Sequence, residues 1–140
     1  MEINVRAKRI AEPVPMLSGP ASSARILLVE DDVSLLNALG FALEADGYRV
    51  TPFTTAADAM ALTGQVDCLV VDRKLPDMDG LALIASLRRR GVLAPAILIT
   101  SNPDDACRRT AAHAGVLIVE KPLVDGELRQ RIEAAVRGSA

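Results

Sequence analysis

Five polar residues in this chain each stand at the end of a short aliphatic run. Glu30 and Asp31 follow Ile26-Leu27-Leu28-Val29, Asp72 follows Leu69-Val70-Val71, Thr100 follows Ile97-Leu98-Ile99, and Lys121 comes just after Leu117-Ile118-Val119. Three carboxylates brought together repel one another unless something neutralises them, and an all-oxygen acidic set suits a hard divalent ion such as magnesium. A lysine and a hydroxyl on the opposite side suit an anion such as a phosphoryl group. That combination works only if the four runs end at one place.

Unbroken aliphatic runs this short suit strands buried on both faces, as in a parallel sheet covered by helices. A weaker candidate at residues 49–53 brings the number of strands to five. Between them lie segments with helical spacing. Asp32 is placed to cap a helix carrying Leu35, Leu36, Leu39, Phe41 and Leu43, which Gly47 closes. Thr55 with Asp58 resembles a capping box ahead of Ala59, Met60 and Leu62, and a third helix from about Gly80 to Arg90 buries Leu81, Leu83, Ile84 and Leu87. The fourth is expected to open with Asn102 as cap and Pro103 in the first helical position. The fifth follows Lys121-Pro122 and carries Leu123, Leu128, Ile132 and Val136. Ala111, Ala112, Ala134 and Ala135 are read mainly as core and packing surface. The alternation βα, five times over, predicts an α/β fold with a doubly wound parallel sheet. In such a sheet all strand ends of one kind share an edge, and ligands bind at the carboxyl edge where strand order reverses. The five residues are therefore expected to converge.

Composition excludes several alternatives. A chain of 140 residues fits one domain, and 50% hydrophobic with 24% charged residues is enough to bury a core. A formal charge of −2 offers no general attraction to nucleic-acid phosphates, and with 2% aromatics (Phe41, Phe53 and Tyr48) there are few rings on which bases could stack. Arg88-Arg89-Arg90 reads as a cationic helix end rather than a nucleic-acid patch. Cys68 and Cys107 have no close cysteine partner, no run is long enough to span a bilayer, and scattered N-terminal charges argue against a secretory signal, so a cytoplasmic location is expected. Residues 1–23, rich in proline, glycine and serine towards their end, are expected to form a flexible extension ahead of a domain over 24–140.

The segments Ile26-Leu27-Leu28-Val29-Glu30-Asp31-Asp32, Val70-Val71-Asp72-Arg73-Lys74-Leu75-Pro76-Asp77-Met78-Asp79-Gly80, Ile97-Leu98-Ile99-Thr100-Ser101 and Val119-Glu120-Lys121-Pro122 together resemble the response-regulator receiver domain of bacterial two-component signalling. The resemblance covers about residues 24–138 and implies a flavodoxin-like strand order 2-1-3-4-5. It further implies that Asp72 accepts a phosphoryl group from a phosphohistidine of a sensor histidine kinase or histidine phosphotransfer protein. Magnesium would be held by Asp31, Asp72 and the main-chain carbonyl of Lys74, with Glu30 helping through water. Lys121 would pair with a phosphoryl oxygen, Thr100 would turn its hydroxyl to another, and Lys121-Pro122 would be a cis peptide. On this reading the protein is a stand-alone signalling module and not an enzyme. Its output would be protein interaction or phosphorelay, without direct nucleic-acid or membrane contact, and homodimerisation is left open.

Two departures stand out. The family usually carries Tyr or Phe three residues before the lysine, where this chain has Ile118, so the inward turn of that ring cannot serve as the switch. Lys74, two residues after the acceptor, could lie over a phosphoryl group and slow its hydrolysis. Other readings fare worse. A haloacid-dehalogenase-type phosphohydrolase needs Asp-x-Asp where the sequence reads Asp72-Arg73-Lys74, and no P-loop motif occurs. A pseudo-receiver that binds partners without phosphorylation is opposed by the complete acidic set and kept open by Ile118.

Overall fold

The computed structural model describes residues 24–124 and 126–138. The expected N-terminal extension lies outside them. Five strands and five helices alternate: β1 (Arg25–Val29), α1 (Val33–Ala45), β2 (Arg49–Phe53), α2 (Ala56–Ala59), β3 (Cys68–Asp72), α3 (Gly80–Arg89), β4 (Ala96–Thr100), α4 (Asp105–His113), β5 (Val116–Glu120) and α5 (Glu127–Gly138). All strand pairings are parallel and the sheet order is β2-β1-β3-β4-β5, as expected.

The pleat sends successive side chains to opposite faces, and two cores result. Leu27, Val29, Leu69, Val71 and Leu98 pack with Ala56, Ala59, Leu83, Ile84, Leu87, Cys107 and Ala111, so α2, α3 and α4 cover one face. Ile26, Leu28, Val70, Ile97 and Ile99 pack with Leu36, Leu43, Leu128 and Ile132, so α1 and α5 cover the other. β3 and β4 are buried along their whole length. β2, the weak candidate, is an edge strand, which is why it tolerates the exposed Pro52 that could not donate to a central ladder. From β1 the chain first winds outward through α1 to β2, then returns past β1 to β3. The order therefore reverses between β1 and β3, whose carboxyl ends carry Glu30, Asp31 and Asp72.

Local chemistry accounts for the helix starts. Asp32 caps α1 by accepting from Leu35 N, Thr55 caps α2 by accepting from Asp58 N, and Asp79 caps α3 by accepting from Leu81 N. Gly47, with φ +97°, donates to Glu44 O beyond the end of α1, the left-handed position at which glycine is favoured.

Several expectations need correction. α4 does not open at Asn102 and Pro103: Asn102 takes a positive φ of 46°, tolerated by its short polar side chain, and the cap is Asp104, which accepts from Cys107 N. α2 is a single turn, so Met60 and Leu62 pack against the core from beyond its end. Leu123 lies in the loop before α5, and Leu81 is only half-buried. Ala112 and Ala134 face solvent, whereas Ala111 is buried and Ala135 is partly covered. Phe41 is on α1 but is 77% exposed, because it sits off the Leu36–Leu43 stripe. The arginine run does close α3, and its side chains hydrogen-bond within the molecule: Arg88 to the Ala114 carbonyl, Arg89 to Ser86 Oγ, and Arg90 to the Met60 carbonyl.

Candidate functional site

The site lies at the carboxyl edge of the sheet. Asp72 is the last residue of β3 and is 5% exposed, while Glu30, just beyond β1, is 1% exposed. Lys121, just beyond β5, reaches both, with Nζ 3.2 Å from Asp72 Oδ1 and 3.5 Å from Glu30 Oε1. Asp31 is exposed at the rim, and carboxylate oxygens of Glu30, Asp31 and Asp72 all lie within 4.8 Å of one another. Glu30, Asp31, Asp72 and Lys121 are thus gathered as the sequence predicts. Thr100 ends β4, the strand paired with β3, and is buried; its hydroxyl is turned to the Ser101 carbonyl at 3.2 Å. Its own carbonyl accepts from Lys121 N at 2.9 Å, tying the β4 and β5 ends together. The Lys121-Pro122 peptide is cis. Lys74 is exposed and forms an isolated antiparallel bridge with Asp79.

The charges are unequal. Burial, assisted by the neighbouring Asp72 carboxylate and only partly offset by the Asp32 N–H and the Lys121 ammonium, pushes the Glu30 carboxyl up to about 7. Burial acts against the Lys121 ammonium, but the Asp72 and Glu30 carboxylates outweigh it, and the group is held above its ordinary range. Glu30 Oε2 accepts from Asp32 N at 3.1 Å, whereas the buried Oε1 has no hydrogen-bond partner, only the lysine at ionic-contact distance. One ammonium thus serves a set of carboxylates that carries more negative charge than it can balance. An all-oxygen, net-negative cluster with an unsatisfied buried oxygen fits a hard cation such as magnesium.

Two further residues of the sequence motifs, Gly80 and Asp77, shape the surroundings of this edge. Gly80 opens α3 so close to β3 that a Cβ there would lie 2.4 Å from Asp72 O and 3.0 Å from Arg73 Cα. The absence of a side chain lets α3 begin against the end of β3, and Gly80 N donates to Arg73 O at 2.7 Å. Asp77 accepts from Ala56 N and Ala57 N, each at 2.9 Å, linking the loop after β3 to the start of α2. A glycine directly after a capping aspartate was the available signal for Gly80. Nothing local distinguished Asp77, because its partners lie about twenty residues away.

The family model described as "Response regulator receiver domain" matches residues 26–133. The response regulator protein PmrA of Pseudomonas aeruginosa is 34% identical over 116 residues, covering 81% of this chain and 52% of that protein. An uncharacterized transcriptional regulatory protein, YbdJ, of Bacillus subtilis is 32% identical over 108 residues, covering 77% of this chain and 48% of its own length. The chain thus spans about half the length of these two regulators. Among solved structures, the non-phosphorylated HemR receiver domain of Leptospira biflexa superposes with a TM-score of 0.76 at 31% identity, covering 81% of this chain and 94% of that one. The Francisella response regulator 1452 receiver domain shares the fold at a TM-score of 0.78 and 21% identity, covering 84% of this chain and 100% of that one. A switch-point acidic cluster answered by a lysine, on a sheet of this order and under a family match over most of the sequence, makes the chain a member of the response regulator receiver domain family.

Proposed function

We infer that the protein is a phosphorylation switch whose acceptor is Asp72. The observation that carries this reading is the Lys121 ammonium, 3.2 Å from a nearly buried Asp72 carboxylate at the edge where the acidic cluster gathers. A carboxylate oxygen of Asp72 attacks the phosphorus of a partner's phosphohistidine. The new O–P bond forms as the N–P bond breaks, and the imidazole leaves with its electron pair. Lys121 offsets negative charge on the phosphoryl oxygens, and the Thr100 hydroxyl, now on the Ser101 carbonyl, is free to exchange that contact for a phosphoryl oxygen.

Receiver domains hold magnesium in an acidic pocket. Here Asp31, Asp72 and the Lys74 carbonyl would be its ligands, with Glu30 assisting. The ion would supply charge neutralisation during transfer. In this reading the partner is a sensor histidine kinase or a histidine phosphotransfer protein, and the domain acts in the cytoplasm as a signalling module. Its output is protein interaction or onward relay. Among the described residues no helix is long and apolar enough to cross a membrane.

Incubation with magnesium and acetyl phosphate, followed by intact mass, tests the assignment. The unaltered protein should gain about 80 Da, the phosphoryl increment, and Asp72→Asn should gain nothing. Equal labelling of both would move the acceptor elsewhere, and labelling of neither would leave an interaction module without phosphorylation.

A further inference from the structure

Arg73, the residue after Asp72, has no part in the site as described, yet it is tied into three elements. Its N–H donates to Ile99 O on β4 at 2.9 Å, and its carbonyl accepts from Gly80 N at the start of α3 at 2.7 Å. Its side chain, 22% exposed, bridges two carboxylates, with Nε 3.5 Å from Asp79 Oδ2 and Nη2 4.0 Å from Asp104 Oδ1. Those carboxylates are the caps of α3 and α4: Asp79 accepts from Leu81 N and Asp104 from Cys107 N, both at 2.8 Å. One guanidinium, a single residue from the acceptor, therefore spans the starts of two neighbouring helices on the same face of the sheet.

We propose that Arg73 is a positioning residue that couples the charge on Asp72 to the first turn of α4 by holding the Asp104 cap until a phosphoryl group draws the guanidinium away. This rests on the reading of Asp72 as the acceptor. A phosphoryl group brings about 1.5 to 2 negative charges and three strong acceptor oxygens, and guanidinium pairs with it more strongly than with a solvated carboxylate. Of the two present partners Asp104 is the one to yield. Its contact is the longer, and its side chain is 66% exposed against 49% for Asp79. Once released, Asp104 still caps α4 but has lost its countercharge, and the first turn of the helix opens more often.

Amide hydrogen exchange at residues 106–108 reads this directly. In the phosphate-free protein Arg73→Gln should speed exchange there by about two- to fivefold, the range of an exposed ion pair. The difference should vanish in 1 M salt, where the screening length is about 3 Å; a loss of packing would not be screened. Asp104→Asn keeps a competent cap and removes the charge, so it should reproduce the effect, with the double variant adding nothing further. After acetyl phosphate and magnesium, with the mass gain verified on each protein, the unaltered chain should move to the Arg73→Gln rate while the variant barely changes. An Arg73→Gln protein that exchanges like the unaltered chain without phosphate overturns the proposal, as does an equal response of both to phosphorylation. If the unaltered protein takes no phosphoryl group, the acceptor assignment and the coupling through it both fail, whereas labelling with no shift at residues 106–108 sinks the coupling alone.

Discussion

The two edges of the sheet treat charge in opposite ways. At the amino edge Arg25 is satisfied: its N–H donates to Asp67 Oδ2 at 2.8 Å, its Nε to Thr51 Oγ1 at 2.9 Å, and its Nη1 to the carbonyls of Thr63 at 2.9 Å and Gln65 at 3.3 Å. At the carboxyl edge Glu30, Asp31 and Asp72 face a single Lys121, and Glu30 Oε1 lacks a hydrogen bond. The amino edge ties the strand entries and the loops before β3 together. The carboxyl edge holds an excess of negative charge that an incoming cation relieves, the pattern expected where stability is given up for function.

The largest effect expected from this contrast is at glycine. Gly80→Ala should cost about 1–3 kcal/mol by overpacking, because the added methyl meets the Asp72 and Arg73 backbone, and it should also slow phosphoryl labelling. Gly91→Ala, where φ is +97° and open space surrounds the site, should cost about 1 kcal/mol through backbone conformation alone and leave labelling intact. Urea midpoints and labelling rates together separate the two.

Charge removal should change sign between the edges. Arg25→Met is expected to destabilise by about 1–2 kcal/mol through its lost hydrogen bonds. Glu30→Gln in metal-free buffer is expected to stabilise by about 1 kcal/mol near pH 8. The sign follows from the raised Glu30 value: the folded state binds this proton more tightly than the unfolded chain, so stability is highest below about 4.5 and falls as the pH rises towards about 7. Unfolding curves at pH 4.5, 6 and 8 should slope downward in the unaltered protein and flatten in Glu30→Gln. A destabilised Glu30→Gln protein would erase the contrast.

Smaller effects refine it. Lys74→Ala should shorten the phosphoaspartate lifetime a few-fold if the exposed lysine shields the group from water, and equal decay rates would remove that role. Asp77 is held below the ordinary carboxylate range by the N–H groups of Ala56 and Ala57. Its contribution is therefore present above the ordinary value and is lost as the pH falls through the lowered one. Asp77→Ala should weaken the acid-side dependence of stability, measured as melting temperature against pH.

Much of this organisation was readable along the chain. Three of the four aliphatic runs mark strands buried on both faces. The fourth, Leu117-Ile118-Val119, lies on the edge strand β5 with Leu117 40% exposed, because no strand flanks its outer side. Asp32 and Thr55 announce helix starts because their side chains replace missing intrahelical partners. Where two capping candidates lay close together the reading slipped. Asn102 and Asp104 are both able to cap, and only the path leaving β4, with its positive φ at Asn102, selects Asp104. Phe41 likewise has a helical position but no partner across the interface, since the stripe that meets the sheet is set by the packed neighbours.

Residue types and order by themselves determined an α/β fold with its acidic, hydroxyl and lysine side chains at strand ends, because burial periodicity and capping are local properties. The tertiary structure decided what depends on distances across the sheet: which oxygen of Glu30 goes without a hydrogen bond, that one ammonium serves two buried carboxylates, and that Arg73 spans two helix caps. Those outcomes follow from how far apart residues come to rest once parallel strands are in register, which local sequence does not encode.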